Sequence, residues 1–252
     1  SADDQSEITF YENDNSTILA QIQQVAGYSV FRHRAGYLRF DSGGVSEQMR
    51  LDSSGRLLIN TTTSRIVEDH VGNGPQGLIQ IEAADSVAIM SIISAGTADA
   101  NRCGTISLGR HRNSTVGGTP TIVQDGDALG AVMFSAGDGT DMRTAGAKIH
   151  AEVDGTPGSN DMPGALVFST TPDGSSSPYN QERLRITAGG LVRVSDSASL
   201  TFGNGDDMRI YHDGGNANYI DVYNKDLYIR CNLDAGITGG DIVLQPKSGE
   251  NS

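Results

Sequence analysis

Alternation of apolar and polar residues is the dominant pattern of this chain, and it is clearest over residues 147–153, AKIHAEV. This two-residue period is typical of a β-strand with one apolar and one polar face. The same period predicts strands at residues 77–83, 104–108, 219–223 and 227–231, each followed by turn-forming residues. Residues 14–26 fit a helical stripe and a strand equally well. The pattern therefore predicts an all-β protein.

An internal repeat relates residues 47–59 to residues 182–194 at a constant offset of 135. In both copies Gly55 and Gly190 fall in a short turn, where glycine readily supplies a positive φ. Each copy is therefore predicted to be a β-hairpin. The matched positions expected to face inward are Met49/Leu184, Leu51/Ile186, Leu57/Val192 and Ile59/Val194, with Arg50/Arg185 as a matched outward cation.

A few strands of this kind cannot bury a hydrophobic face alone, so repeated units are expected to stack along one chain or between identical chains. Three modules are predicted: residues 1–65, a central module 66–195 that ends in the second repeat hairpin, and residues 196–252. Polar joints at 60–64 and 195–199 separate them.

Composition narrows the class of protein. The 252 residues contain 18 Lys and Arg against 31 Asp and Glu, a net charge of −13, which argues against a nucleic-acid-binding surface. Aromatic residues make only 6% of the chain and Trp is absent, so a compact globular core would be thin. An elongated or oligomeric protein fits this composition better.

The sequence gives little sign of a membrane-spanning helix, a metal site or a disulfide. No apolar run approaches the roughly 20 residues of a membrane-spanning helix. Cys103 and Cys231 lie 128 positions apart and are expected to be buried or half-buried free thiols, in a protein made in a reducing cytosol. No two histidines are spaced as local metal ligands. Asp-rich turns at 125–127, 138–141 and 205–207 are interpreted as turn formers in preference to calcium ligands.

Enzymatic chemistry is not expected. A glycosidase needs two carboxylates in a groove lined by aromatic residues. The acids Glu152, Asp154 and Glu182 are candidates, but no aromatic residues gather them into a site. No Gly-x-Ser-x-Gly motif and no phosphate-binding loop is present. We therefore predict no catalytic residue, no cofactor and no metal site.

Several motifs resemble bacteriophage tail fibre proteins. They are residues 126–130, 153–158, 162–171 and 182–186. Residues 208–214 with 227–230, and residues 240–249, resemble modules of marine or cyanophage fibre proteins. The resemblance implies an elongated, intertwined homotrimer of short antiparallel strands, with β-prism or triple-β-helix modules in series. The last module is expected to continue beyond this sequence or to be truncated.

The resemblance also implies a function. The chain is expected to be a structural and adhesive part of a tail fibre, located in the virion and made in the host cytoplasm. Its expected partners are two further copies of itself, other tail proteins and a host surface glycan, without nucleic acid or membrane insertion. Two alternatives remain open: a tailspike-type polysaccharide depolymerase, and a connector or head fibre without host contact.

Tyrosines near the C-terminus are the candidate receptor-binding residues, because tyrosine and histidine rings can stack on sugars. Cross-strand packing between copies is the more frequent role of such residues. The strand arginines are likewise interpreted as interchain partners of the abundant Asp, in preference to glycan ligands. The candidates are Tyr211, His212, Tyr219, Tyr223 and Tyr228.

Overall fold

The computed structural model describes residues 7–11, 18–25, 28–33, 36–43, 46–67, 69–84, 87–95, 102–175, 181–196, 198–215, 217–223 and 226–228. These residues form fifteen strands and no helix. The strands are β1 (Glu7–Tyr11), β2 (Ile18–Val25), β3 (Tyr28–His33), β4 (Leu38–Ser42), β5 (Ser46–Leu51), β6 (Leu57–Ile59), β7 (Ile79–Ile81), β8 (Ala128–Ala136), β9 (Thr144–Val153), β10 (Gly164–Thr170), β11 (Glu182–Ile186), β12 (Val192–Val194), β13 (Ser199–Phe202), β14 (Met208–His212) and β15 (Asn218–Val222).

The strands form four sheets with the orders β1-β2-β3, β4-β5-β6-β7, β12-β11-β10-β9-β8 and β13-β14-β15. Every ladder between named strands is antiparallel except that between β6 and β7. The all-β prediction is therefore confirmed, and residues 18–25 of the ambiguous segment are a strand. No described segment is a helix that could cross a membrane. The three-module division remains a prediction; the sheet boundaries do bring β7 into the sheet of β4–β6.

The predicted repeat is two hairpins with matching backbone geometry. Gly55 and Gly190 have φ values of 77° and 79°, the left-handed conformation that glycine adopts without strain. The amide of Gly55 donates to the carbonyl of Asp52 at 3.0 Å, and that of Gly190 donates to Thr187 at 2.9 Å. Strand β4 precedes the first hairpin and β10 precedes the second, so the repeated unit has three strands, as predicted.

Each sheet leaves its apolar face open to solvent. Cross-strand neighbours form continuous apolar rows, such as Leu200–Ile210–Ile220, whose members are 40–56% exposed. The exposed apolar side chains on these faces are Ile8, Ile22 and Phe31 in the first sheet, Phe40, Leu51, Ile79 and Ile81 in the second, Val132, Phe134, Leu166, Ile186, Val192 and Val194 in the third, and Leu200, Phe202, Ile210 and Ile220 in the fourth.

Of the inward positions predicted for the two repeats, four are half-buried in the single chain and four are exposed, namely Leu51, Ile186, Val192 and Val194. Their predicted burial includes contacts with further copies and stays a prediction. Leu51, Ile186 and Val192 are 44%, 38% and 65% exposed. The side chains of Arg50 and Arg185, predicted to face outward, are only 14% and 20% exposed because they lie on the opposite, better covered face.

The best covered surface is the arginine-bearing face of the sheet β8–β12. Val167 and Ala165 are 1% and 3% exposed there, beside Lys148 and His150 at 2% and 7%. A segment preceding the sheet contributes to this cover, because the rings of His70 and His150 are 4.6 Å apart between centroids. A parallel bridge between Val67 and Met142 holds the same segment in place.

The solvent-accessible area fits the open faces. The chain exposes 19131 Å². A compact monomer of 26.5 kDa is expected to expose about 10,700 Å². This difference agrees with the open apolar faces of the described sheets.

Two further predictions need correction. Residues 104–108 belong to no strand ladder among the described residues, so the predicted strand is absent there. Cys103 carries a free thiol, but it is exposed where a buried or half-buried position was expected. Cys231 and most of the predicted strand 227–231 lie outside the described residues.

Candidate receptor-contacting site

One face of the sheet β13–β15 gathers three of the five candidate residues. Tyr211 of β14 and Tyr219 of β15 are direct cross-strand neighbours, and their rings stack with centroids 5.0 Å apart and an angle of 18° between planes. Tyr223 follows β15 on the same side. We call this surface, with Arg209 and Asp221 between the rings, the tyrosine face.

Arg209 and Asp221 form the polar centre of the tyrosine face. They face each other across β14 and β15 and are joined by a 3.2 Å ion pair. The hydroxyl of Tyr211 donates to Asp221 at 3.2 Å, and Tyr223 donates to the same carboxylate at 3.3 Å. The guanidinium of Arg209 lies 5.2 and 5.1 Å from the ring centroids of Tyr211 and Tyr223, within cation–π range.

These contacts give the face its chemical character. Partial burial raises the pKa of Tyr211, and the hydrogen bond to the Asp221 carboxylate raises it further, so the phenol stays protonated at neutral pH. The Nε atom of Arg209 is buried without a hydrogen-bond partner. Tyr219 and Tyr223 remain 40% and 43% exposed. The face thus offers aromatic surface, a cation and a carboxylate to a ligand.

The other two candidates are not part of the tyrosine face. His212 pairs with Asn218 and follows Tyr211 in β14, so its side chain lies on the opposite side of the sheet. It lines an open hollow of about 480 Å³ with Leu200, Ile210 and Ile220, and Tyr211 and Tyr219 also border this hollow. Tyr228 is 68% exposed, and its hydroxyl contacts Asp226 at 3.3 Å. The structure therefore gathers Tyr211, Tyr219 and Tyr223 on one face, borders one hollow with Tyr211, His212 and Tyr219, and leaves Tyr228 outside both.

Sequence reasoning found the tyrosines but missed Asp221, which accepts bonds from Arg209, Tyr211 and Tyr223. Alternation alone places residues 219, 221 and 223 on one side of a strand. The pairing of Arg209 with Asp221 depends on the register of β14 against β15, which no local pattern specifies.

The candidate acids of a hydrolase are tied to an arginine. Arg185 binds Glu152 at 2.6 Å and Glu182 at 2.8 Å, and Glu152 also lies 3.2 Å from the Nε2 atom of His150. The Glu182 carboxylate raises the pKa of Arg185, and Glu152 adds to that shift. Asp154 instead accepts a hydrogen bond from the backbone amide of Ala188 at 2.8 Å.

The Asp-rich turns hold their own backbone. Asp138 accepts bonds from the amides of Asp141 and Thr140 and from the hydroxyl of Thr144, and the two amide bonds lower its pKa to about 2. Asp127 has a pKa of about 2 because Arg112 binds it at 2.6 Å. Within the described residues, no group of three or more His, Cys, Asp or Glu is arranged to hold a metal ion. These contacts fit the interpretation of the acids as turn formers.

Comparison with known proteins identifies the fold. No family model and no curated protein sequence matches the chain. Among solved structures, it is similar to the carboxy-terminal domain of the L-shaped tail fibre of bacteriophage T5 with its intramolecular chaperone domain. The match has a TM-score of 0.52 and 16% identity over 91% of this chain and 64% of that one. A second structure of the T5 domain matches with a TM-score of 0.48 and 15% identity, over 89% and 88% of the two chains.

The strands and the comparison together define the class of fold as an all-β fibre domain. More particularly, the fold is that of a bacteriophage tail fibre domain, so the resemblance expected from the sequence motifs is confirmed at the level of the fold.

Proposed function

We propose that this chain is a structural and adhesive segment of a bacteriophage tail fibre, which works as a homotrimer and without catalysis. The observation that carries the proposal is the open apolar face of every described sheet. Such rows of exposed Ile, Val, Leu and Phe are stable in water when another surface covers them. The tail fibre fold supports identical copies as that surface.

Three copies close the core that one chain leaves open. With corresponding sheets facing a common axis, the rows of Val132, Leu166 and Ile210 become buried, together with the inward positions predicted for the two repeats. The net charge of −13 per chain becomes about −39 per trimer, and this larger negative charge keeps an extended fibre soluble and opposes lateral aggregation.

Mass in solution tests the assembly. Light scattering of the purified chain is expected to give about three times 26.5 kDa. A monodisperse monomer of 26.5 kDa would overturn the homotrimer.

Host contact is assigned to the tyrosine face. Exposed, nearly parallel aromatic rings beside a cation and a carboxylate suit a sugar, because apolar ring faces can stack and the polar groups can bind hydroxyls. Each single contact is weak. Three copies in a fibre, and several fibres on a virion, convert weak contacts into stable attachment through avidity.

A binding experiment tests this assignment. Labelled protein is applied to an array of bacterial lipopolysaccharides and capsular polysaccharides, and Tyr219→Ala is expected to reduce retention at least about tenfold. Tyr37→Ala is the matched control, since Tyr37 is 41% exposed and lies immediately before β4, outside the sheet β13–β15. Equal retention of the wild type and both variants would remove the tyrosine face from the proposal.

The absence of catalysis is a separate part of the proposal. Its support is the pairing of Glu152 and Glu182 with Arg185, which engages both carboxylates in ion pairs. Incubation with the retained polysaccharides is expected to release no reducing ends. Sustained release would favour a depolymerase.

The proposed location is the virion tail, where the chain contacts other tail proteins. Binding to virion proteins but to no bacterial surface would favour a connector fibre instead.

A further inference from the structure

A cleft of about 520 Å³ lies between the segment that follows β6 and the turn that joins β8 to β9. Residues 63–66 form one wall, and residues 137 and 139–143 form the other. The volume is within the roughly 300–1,000 Å³ of small-ligand sites. We call this space the Arg143 cleft, and none of its lining residues belongs to the tyrosine face.

Hydrogen bonds hold both walls of the Arg143 cleft in place. In the first wall, the amide of Arg65 donates to the side chain of Gln80 at 2.9 Å. In the second wall, the carboxylate of Asp138 accepts two amides of its own turn at 2.8 and 3.1 Å. A parallel bridge between Val67 and Met142 joins the two segments. The cleft is therefore formed before a ligand binds, which lowers the entropic cost of binding.

Gly74 leaves room for the guanidinium group beside the cleft. A Cβ at this position would lie 2.5 Å from the Nε atom of Arg143 and 2.6 Å from the side chain of Ile66, so a side chain there would displace both. The φ angle of Gly74 is outside the left-handed region, so the backbone conformation does not require glycine. The glycine thus allows the close packing that positions Arg143.

The other lining groups suit a ligand that carries hydroxyl groups. Thr63, Ser64 and Thr140 contribute hydroxyls, and Asp141 contributes an exposed carboxylate. The hydroxyl of Ser64 is buried without a hydrogen-bond partner among the described residues, and a change of rotamer redirects it by rotation about one bond. Ile66 is 42% exposed and adds apolar surface, against which the apolar face of a sugar ring can pack.

The charges that line the cleft favour a ligand with one negative charge. Two arginines, Arg65 and Arg143, against one acid, Asp141, give the lining residues a net charge of +1 in a chain of net charge −13. A carboxylate matches the planar guanidinium through two parallel hydrogen bonds. A phosphate monoester would bring almost two charges close to Asp141, which would repel the second.

We propose that the Arg143 cleft is a second ligand site, which binds an acidic sugar. The sugar carboxylate pairs with Arg143, and the sugar hydroxyls bond to Asp141 and to the hydroxyl side chains of the walls. This site goes beyond the proposed function, because it adds a charged class of ligand at a place separate from the tyrosine face. The same chemistry is present in a free uronic acid and in the uronic acid residues of a polysaccharide.

Ligand-observed NMR with the intact assembled protein tests the ligand class. D-galacturonate and D-galactose differ at the carboxylate, and galacturonate is expected to bind at least about tenfold more tightly. Equal binding of the two sugars, or tighter binding of inorganic phosphate than of galacturonate, would overturn the proposal. Polygalacturonate distinguishes the two sources: binding of this polymer supports a polysaccharide ligand, and binding of the monomer alone supports a free acidic sugar.

Three variants test the location of the site. Arg143→Gln is expected to weaken galacturonate binding at least about tenfold and to remove the preference over galactose. Gly74→Ala keeps every charge but displaces Arg143, and is expected to weaken binding at least about threefold. Arg193→Gln is the matched control and should leave binding unchanged, because Arg193 is an exposed arginine of β12 outside the cleft. Unchanged galacturonate binding in Arg143→Gln would overturn the site.

The two ligand sites can fail separately. Polysaccharide retention that is lost in Tyr219→Ala, in a protein that does not bind galacturonate, would overturn the Arg143 cleft and support the tyrosine face. Galacturonate binding that depends on Arg143, in a protein whose polysaccharide retention is unaffected by Tyr219→Ala, would support the cleft and remove the tyrosine face.

Discussion

The two repeat hairpins have the same turn and the same arginine–glutamate pair, but different neighbours. Arg50 binds Glu47 at 2.6 Å and Arg185 binds Glu182 at 2.8 Å, each three residues apart. Strand β6 of the first hairpin is followed by β7 in the sheet, whereas β12 of the second is an edge strand. At the matched position of these strands Leu58 is 1% exposed and Arg193 is exposed.

This difference shows how one hairpin sequence pattern serves two environments. In the first hairpin, the chain adds its own strand β7 beside β6, and the buried residue of β6 is Leu58. It leaves the second hairpin open at its edge and keeps an arginine at the equivalent position. The turn and the arginine–glutamate pair are common to both copies and stabilise the hairpin itself. The positions that differ depend on what lies against each hairpin.

The largest expected effect comes from exchanging the residues that differ. Leu58→Arg gives the first hairpin the residue of the second and is expected to cost at least about 3 kcal/mol, because it removes a buried apolar side chain and buries an unpaired charge. The reverse change, Arg193→Leu, should lie within about 0.5 kcal/mol, since its position is exposed. Urea unfolding followed by circular dichroism measures both. Similar losses for the two variants would show that β7 does not distinguish the hairpins.

The next effect concerns the paired arginines. Arg185→Gln is expected to cost about 2–3 kcal/mol, because it leaves the half-buried Glu152 and Glu182 without their cation. Arg50→Gln should cost less, since Arg50 pairs with Glu47 alone and otherwise stacks on Tyr37, 4.0 Å from the ring centroid. The same unfolding measurement compares them. Equal costs would mean that the contact with Glu152 contributes little.

The matched turns are expected to respond alike. Gly55→Ala and Gly190→Ala should each cost about 1 kcal/mol, since a Cβ at a positive φ is strained although open space surrounds both positions. Asn at either position should cost less, because its side chain tolerates this conformation better. Thermal unfolding of the four variants provides the measurement, and a clear difference between the two alanine variants would contradict the equivalence of the turns.

The smallest effect is a pH dependence that belongs to the second hairpin's sheet alone. Burial lowers the pKa of His70 and of His150, and the charge of Lys148 lowers both further, against opposing contributions from Glu152. The neighbouring Asp69 raises the pKa of His70, and Arg185 lowers the pKa of His150. Since the unfolded chain binds protons at higher pH than the folded chain, this contribution to stability is present above about pH 6.5 and is lost as pH falls.

Hydrogen exchange resolved by sheet provides the measurement. Between pH 7.5 and 6, after correction for the intrinsic exchange rate, the opening free energy of β9–β10 should fall while that of β5–β6 stays constant. The double variant with His70→Gln and His150→Gln should abolish the difference. A pH dependence that persists in this variant would assign the effect to other groups.

Much of the local structure was predictable from the sequence. Alternation located β9 and β15, and the spacing of Gly55 and Gly190 located two turns, because a strand's period and a glycine's positive φ are local properties. The polar centre of the tyrosine face was not predictable, because Arg209 and Asp221 meet only through the register of two strands. Nor did the sequence show which face of each repeat the single chain covers, since alternation defines two faces without saying which one is covered.

The sequence by itself determined that the protein is all-β, that a three-stranded unit recurs after 135 residues, and that each unit has one apolar face. Only the tertiary structure decided that four separate sheets leave those faces open and that the arginine face of the sheet β8–β12 is the covered one. The physical reason is that side-chain periodicity is encoded residue by residue, whereas burial and strand pairing depend on which distant segment, or which other copy, lies opposite.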